Sequence, residues 1–294
     1  MEIRKRFRAL VEAEEILVMP GAFDALSAKL IEAAGFDAAY LTGYGQAASK
    51  LGEPDVGLMS MAEMVERTAD MVAAVNIPVA CDADTGFGNT VNVIRTIREY
   101  ERAGAAAIQL EDQVMPKKCG HMLGRQIIPA EEMAEKIRGA VAARCDPDFL
   151  IIARTDARTT HGVEEAIRRG RLYEEAGADI IFIESLESVE EMKQINREIS
   201  RPTIANMVEG GRTPFLSAKE LREIGYNMVV YPIAALYTAT KAMYDMLVDF
   251  RRNGTPAAYR DKMVNFTQFN GLIGLPAIQK IEAGDLSDVV KKFI

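Results

Sequence analysis

The amino-acid sequence predicts a (β/α)8 TIM barrel, and three observations carry that prediction. Short runs rich in Val, Ile and Ala alternate with longer stretches of helical periodicity, the pattern of a parallel sheet with helical crossovers. Eight such units fit the 294 residues, a length at which one barrel closes. Gly104, Gly177 and Gly225 stand where helix C-caps would precede strands.

The first apolar run is 16–19, and a helix over 22–34 follows, closed by Gly35. The second run, 38–42, leads into a glycine-rich turn, Gly43-Tyr44-Gly45, and a loop through Gly52-Glu53-Pro54-Asp55. A helix over 61–75 leads to a strand over 77–82; after 86–89, a helix to about 103 leads to a strand over 105–111. A basic loop runs to Pro129, and a helix continues to about 143. Strands over 149–155, 179–184, 203–206 and 227–231 then alternate with helices over 163–176, 189–199, 218–224 and 233–250. Residues 257–294 exceed what the barrel needs. Their apolar members, Val264, Phe266, Phe269, Leu272, Ile273 and Leu275, suggest a helical pair packed on a neighbouring subunit. No linker or composition break marks a second domain, so 1–294 reads as one barrel domain with 257–294 a C-terminal helical extension.

Composition narrows the function. Hydrophobic residues make up 49%, enough for a sizeable core, and the fifteen methionines, spread through helices, read as core filler. A net charge of −8 with the signs mixed argues against a nucleic acid or an anionic membrane as partner. No apolar run reaches the length of a membrane span, and the first eight residues are charged without an apolar signal core. Cys81, Cys119 and Cys145 form no disulfide framework, which points to a reducing cytoplasm.

In such barrels chemistry sits at the carboxyl ends of the strands. The residues closing the apolar runs are Tyr40 and Thr42, Asp82 and Asp84, Glu111, Arg154 and Asp156, Glu184, and Asn206. A helix N-cap explains Asp84, Asp156 or Asn206 singly, but six polar strand ends on one rim point to a site. Asp82 and Asp84 stand two apart on an extended segment, so their carboxylates face the same side. With Glu111 they make an all-oxygen anionic cluster suited to Mg²⁺, or to Mn²⁺, often through water. The competing reading is a like-charge pair relieved by Arg154 or Lys118. The chain lacks the His/Cys spacing of a zinc site. Arg154 offers a planar fork that fits a carboxylate, although Glu184 or Glu111 are alternative partners. Gly43, Tyr44 and Gly45 present backbone N–H groups suited to an anionic oxygen. As a nucleotide fingerprint this stretch fails, lacking the third glycine. His161 is read as a surface residue.

The densest chemistry lies in Pro116-Lys117-Lys118-Cys119-Gly120-His121, in a chain with only two histidines and three cysteines. Flanking cations lower a cysteine's pKa, so the cluster reads as a thiol that gives up or accepts a proton. The competing reading is a solvated basic turn with a bystander cysteine.

Taken together, the sequence resembles the isocitrate lyase and phosphoenolpyruvate mutase superfamily, from Pro20-Gly21-Ala22-Phe23-Asp24-Ala25 to the Tyr231-Pro232 strand. The specific stretches are Asp82-Ala83-Asp84-Thr85-Gly86-Phe87-Gly88-Asn89, Glu111-Asp112-Gln113, Lys117-Lys118-Cys119-Gly120-His121, Arg154-Thr155-Asp156-Ala157 and Asn206-Met207-Val208-Glu209-Gly210-Gly211. The resemblance implies a Mg²⁺-dependent barrel, a homotetramer with the eighth helix exchanged between subunits, and a mobile gating loop carrying Cys119. It implies that Asp84 binds the metal directly, with Asp82 and Glu111 acting mainly through water. Thr42, Gly43, Tyr44 and Arg154 would hold the oxo-acid half of a small carboxylate substrate, with Asp55, Gly120 and Asn206 completing the substrate set. Cys119 would be the general acid. Thr42 replaces a serine common in relatives. The Lys-Cys-Gly-His run separates the chain from phosphoenolpyruvate mutase itself and from phosphonopyruvate hydrolases, and true isocitrate lyases are much longer. The 2-methylisocitrate lyases carry an arginine after the last strand where this chain has Tyr237, which favours the 2-alkylmalate and 2,3-dimethylmalate lyases. Carboxyphosphonoenolpyruvate mutase shares the cysteine motif and remains an alternative.

The expected reaction is retro-Claisen cleavage of a 2-hydroxy dicarboxylate to pyruvate and a carboxylic acid. Lys118, His121 and Asn206 would stabilise the developing carbanion, and Cys119 would protonate it. Tyr40 is read as the base, with Glu184 the competitor. A non-enzymatic barrel that only binds ligands is the reading from a different class, and the intact carboxylate set argues against it.

Overall fold

The computed structural model describes residues 2–286. Its elements, in chain order, are α1 (Glu2–Val11), β1 (Leu17–Ala22), α2 (Ala25–Ala33), β2 (Ala39–Leu41), α3 (Gly43–Gln46), a π-helical turn (Ala47–Leu51), α4 (Met61–Ala74), β3 (Val79–Asp82), α5 (Thr90–Arg102) and β4 (Ala107–Glu111). There follow α6 (Ala130–Ala143), β5 (Leu150–Thr155), α7 (Arg158–His161), α8 (Val163–Glu175), β6 (Ile180–Ile183), α9 (Val189–Glu198), β7 (Ile204–Asn206), α10 (Ala218–Ile224) and β8 (Met228–Tyr231). The last elements are α11 (Ala234–Asn253), a 3-10 turn (Ala257–Lys262), α12 (Phe266–Leu272) and α13 (Leu275–Glu282).

All eight strands are parallel, in the order β6-β5-β4-β3-β2-β1-β8-β7, and a parallel bridge between Ile181 and Thr203 joins β6 to β7. The predicted barrel is therefore present. Alternate strand residues divide the core into two layers. Leu17, Met19, Tyr40, Ile152, Phe182 and Met228 pack inside the barrel. Leu41, Cys81, Ile108, Ile151 and Ile183 pack outward against the helices.

The helix α1 was not expected, because its five charged residues mask the apolar stripe of Phe7, Leu10 and Val11. Phe7 is fully buried and packs with the inward strand residues, so α1 stoppers the amino end of the barrel. Arg4 Nε donates to the Ala105 carbonyl at 2.9 Å and Arg8 Nε to Asp148 Oδ1 at 2.7 Å, fastening α1 to the segments that enter β4 and β5.

The start of α2 falls three residues later than expected. Asp24 accepts the Ser27 N–H at 2.6 Å, and the Ser27 hydroxyl accepts the Asp24 N–H at 2.9 Å, so this capping box sets the first turn. The freed residues extend β1, where a Cβ on Gly21 would lie 2.0 Å from the Pro232 carbonyl oxygen. The Gly43-Tyr44-Gly45 turn is helical, with Thr42 as its N-cap.

Contacts divide the chain into two compact units, Met1–Leu236 and Tyr237–Ile294. The second unit thus begins earlier than the expected extension at 257, and residues 287–294 of that extension lie outside the described residues. It contains the body of α11 and the helical pair α12 and α13, and none of its described residues is buried. Met243, Tyr244, Leu247, Phe250 and Phe266 are among its exposed apolar side chains. Among the described residues no helix is long and apolar enough to cross a membrane.

Candidate active site

The strand register assembles the rim. Asp82 at the end of β3 is paired with Gln109 of β4, and Glu111 at the end of β4 with Arg154 of β5. Glu184 follows β6 and Asn206 ends β7. A Cβ on Gly43 would lie 2.6 Å from Asp82 Oδ2 and 3.5 Å from Asp84 Oδ1, so both carboxylates face this backbone, although Asp84 lies in the turn after β3 and not on the extended segment that the alternation assumed. The Gly43 N–H is itself directed at Asp82 Oδ2, at 3.3 Å. Asp84 and Ser185 both sit at positive φ, 48° and 60°, a conformation that non-glycine residues hold mainly where surrounding structure imposes it.

The acidic cluster fits a cation. Asp84 and Glu111 are buried; Glu111 Oε1 accepts no hydrogen bond, and the positive charge that approaches Asp84 Oδ1 is an ammonium. Burial pushes the Asp84 carboxyl up to about 6 despite Lys117, and it raises Glu111 well above the carboxylate range despite Arg154. Buried oxygens that resist ionisation are relieved by a hard divalent ion. Among the described residues, however, no three acidic, histidine or cysteine groups converge as a full set of direct metal ligands. The ammonium that approaches them is that of Lys117, not Lys118. Lys117 Nζ lies 2.8 Å from Asp84 Oδ1 and 2.6 Å from Asp55 Oδ1, and the side chain is 2% exposed. Lys118 Nζ instead donates to the Gly124 carbonyl at 3.1 Å, within the loop. Lys118 was the lysine expected at the rim, because nothing local in the sequence distinguishes the two; the structure puts Lys117 there instead.

Arg154 is held by three carboxylates. Its Nε and Nη2 each donate to Asp156 at 3.0 Å, while Glu111 Oε2 and Glu184 Oε2 lie farther off, at 3.3 and 3.4 Å. Its guanidinium carbon stands 5.1 Å from the centre of the Phe182 ring. Burial alone would raise the Asp156 carboxyl, but Arg154 and Arg125 outweigh it and hold it below the usual range. Asp156 was visible in the sequence only as a rim residue or helix cap; its grip on two arginines was not.

The loop from 114 to 125 is shut over this rim. Its ends are tied by an antiparallel bridge between Gln113 and Ile127. The Cys119 N–H donates to the Asp55 carbonyl at 3.1 Å. A Cβ on Gly120 would lie 2.3 Å from Arg154 Nη2, so only glycine permits this approach. His121 Nδ1 accepts the Arg212 N–H at 3.2 Å, and its Nε2 stands 3.4 Å from Glu184 Oε1. Burial lowers the imidazole pKa, against the pull of Glu184. Asn206 Nδ2 donates to Glu184 Oε2 at 2.9 Å, leaving its buried Oδ1 without a partner.

Two expectations change. The thiol of Cys119 is not activated by its cationic neighbours: burial pushes it up to about 11, because Lys117 is neutralised by Asp55 and Asp84 and Lys118 points away. The phenol of Tyr40 donates to Gln109 Oε1 at 2.8 Å, and burial, then the Asp82 charge, raise its pKa well above the usual range. The Tyr40 phenol is thus directed at Gln109 as a donor, in surroundings that favour its neutral form. Tyr237 is the first residue of the second unit and is 43% exposed.

A parallel barrel with a charged carboxyl-end rim and a loop closed upon it defines an α/β-barrel enzyme. The chain belongs to the phosphoenolpyruvate phosphomutase family, which it matches over residues 7–251, within the phosphoenolpyruvate mutase/isocitrate lyase superfamily. It is 58% identical to the 2,3-dimethylmalate lyase of Eubacterium barkeri over 96% of this chain and 98% of that one. It is 46% identical to the 2-methylisocitrate lyase of Aeropyrum pernix, covering 94% and 89%. A crystal structure of a 2,3-dimethylmalate lyase superposes with a TM-score of 0.90 at 38% identity, covering 97% and 95%. A phosphonopyruvate hydrolase solved with oxalate and Mg²⁺ superposes at 0.87 with 31% identity, covering 96% and 99%.

Proposed function

We propose that this chain is a carbon–carbon lyase that cleaves a 2-alkylmalate, such as 2,3-dimethylmalate, to pyruvate and a carboxylic acid. The observation that carries this reading is the Cys119 loop closed over the rim, with the Cys119 N–H bonded to Asp55, Gly120 against Arg154 and His121 beside Glu184, where burial favours the protonated thiol. The likeness to the Eubacterium barkeri lyase supports the choice of substrate.

Arg154 holds the C1 carboxylate of the substrate by the face of its guanidinium that Asp156 leaves open, and Thr42, Gly43 and Tyr44 line the same oxo-acid half. Asp84 would hold Mg²⁺ (or Mn²⁺) directly, with Asp82 and Glu111 holding it through water. Bound there, the ion supplies Lewis acidity towards the C2 oxygen. With Tyr40 keeping its proton, Glu184 is the base that accepts the C2 hydroxyl proton. The C2–C3 bond then breaks; its electron pair stays on C3 and spreads into the adjoining carboxylate, while C2 becomes the ketone of pyruvate. His121 and Asn206 stabilise this charge. The Cys119 thiol delivers its proton to C3, a role for which a thiol protonated at neutral pH is suited. The shut loop, with Gly120 against Arg154, excludes water from the carbanion.

The assembly is a homotetramer in the cytoplasm that exchanges α11 between subunits. The described apolar side chains of the second unit, none of them buried within this chain, support that arrangement. Light scattering after size exclusion would give the subunit number, and a monomer would refute it.

The function is tested by pyruvate release with Mg²⁺ from 2,3-dimethylmalate and 2-methylisocitrate side by side. Fast release from the dialkylmalate alone is expected. Release mainly from 2-methylisocitrate would transfer the chain to that activity, and a phosphonate product seen by phosphorus NMR would transfer it to the mutases.

A further inference from the structure

We propose that Asp156 is a positioning residue through which Arg125 of the closed loop sets the orientation of Arg154. The inference rests on reading Arg154 as the group that holds a substrate carboxylate.

Asp156 is fully buried, and its two oxygens are divided between two guanidinium groups that come from different places. Oδ2 accepts from Arg154 Nε, and Oδ1 accepts from both Arg154 Nη2 and Arg125 Nη1. Arg154 stands on β5, but Arg125 stands at the end of the loop, just before the bridge at Ile127. The second Nη of Arg125 donates to the Thr159 hydroxyl, and its Nε is buried without a partner. Asp156 cannot itself follow the loop. Its N–H donates to Asp112 Oδ1 at 2.9 Å, and Asp112 Oδ2 accepts from Thr155, Arg169 and Tyr173 at 2.7, 2.9 and 2.8 Å. The carboxylate is a fixed post.

When the loop is shut, Arg125 shares Oδ1 with Arg154 and takes up part of the Asp156 charge. Arg154 is then aligned by Asp156 yet not fully neutralised by it, and an incoming anion competes for the rest of its charge with the more distant Glu111 and Glu184. Without Arg125, a buried carboxylate would have Arg154 as its remaining guanidinium and would draw it in, because an unshared buried charge is costly. Arg125 thereby acts on the ligand through Asp156 without touching it.

The test is calorimetric titration of oxalate, in saturating Mg²⁺, into the full-length chain and its Arg125→Ala, Arg125→Lys, Asp156→Asn and doubly substituted forms. Arg125→Ala is expected to weaken oxalate roughly tenfold, and Arg125→Lys to restore part of that loss. The double variant should bind within about twofold of Asp156→Asn alone, since Arg125 has nothing left to act through. Equal affinity of Arg125→Ala and the unsubstituted chain would overturn the proposal, as would a double variant whose loss is the product of the single losses. Arg125→Ala and Arg125→Lys decide the point alone if Asp156→Asn does not fold. Failure of the unsubstituted chain to bind oxalate would instead overturn the carboxylate role of Arg154, and this inference with it.

Discussion

Ser185 donates its hydroxyl to the Gly120 carbonyl at 2.8 Å, joining the end of β6 to the centre of the loop sixty-five residues earlier. Ser185 holds a positive φ of 60°, and its N–H and hydroxyl also reach the adjoining Glu184 carboxylate, at 2.6 and 3.3 Å. One residue therefore both steadies the proposed base and fastens the loop. Ser185→Ala removes the fastening and leaves the N–H contact. A hydrogen bond of this kind contributes about 0.5–1.5 kcal/mol, so kcat/KM should fall roughly two- to twelvefold. Faster hydrogen exchange across 114–125 should accompany the loss, and unchanged exchange would show that the bond does not hold the loop.

Gly120→Ala should be far more damaging to turnover than to folding. The added Cβ would meet Arg154 Nη2 at 2.3 Å and the Glu184 side chain at 2.8 Å, inside any tolerable contact. The loop would relax outward rather than displace two buried charged groups. We expect turnover to drop by about two orders of magnitude, the scale on which misplaced reacting groups cost rate. The thermal midpoint should stay within a few degrees of the parent, measured by circular dichroism.

The Cys119 assignment predicts a pH profile with a definite sign. A general acid works only while protonated, and burial pushes this thiol up to about 11. Activity limited by Cys119 is therefore retained through the neutral range and lost as pH rises through about 11. Cys119→Ser should reduce kcat by roughly 10²–10⁴ at neutral pH, the usual contribution of a positioned acid. A serine variant that keeps most of its turnover would remove Cys119 from the mechanism.

Much of this site was legible because a barrel exports its geometry to the sequence. Once the runs ending at Asp82, Glu111 and Arg154 are recognised as parallel neighbours, their last residues must share a rim, and the register pairs Glu111 with Arg154. What stayed hidden depended on burial and on long-range partners. Lys117 and Lys118 are equivalent in sequence, and only the closed loop sends one to Asp55 and Asp84 and the other to Gly124. The direction of the thiol shift was misjudged for the same reason, since counting nearby cations ignores that Lys117 is already neutralised. The helix α1 went unseen because its charges outnumber the three apolar residues that stopper the barrel.

Metal binding should be visible in stability before any turnover is measured. Glu111 Oε1 is a buried oxygen without a hydrogen bond, and burial disfavours the ionised form of both Glu111 and Asp84, so a divalent ion that binds only the folded chain removes an existing cost. At a hundredfold excess over its dissociation constant such an ion adds about 2.7 kcal/mol. For a chain of this size that is a rise of several degrees in the thermal midpoint. Mg²⁺ and Mn²⁺ should both produce the rise, and a chelator should reverse it along with pyruvate release. Asp84→Asn keeps the shape but lacks the charge, and should melt at the same temperature with and without Mg²⁺. Its ammonium partner Lys117 would then face Asp55 alone, so the variant also reports whether the loop needs both carboxylates to shut. An undiminished Mg²⁺ shift in Asp84→Asn would place the ion elsewhere and dissolve the ligand assignment.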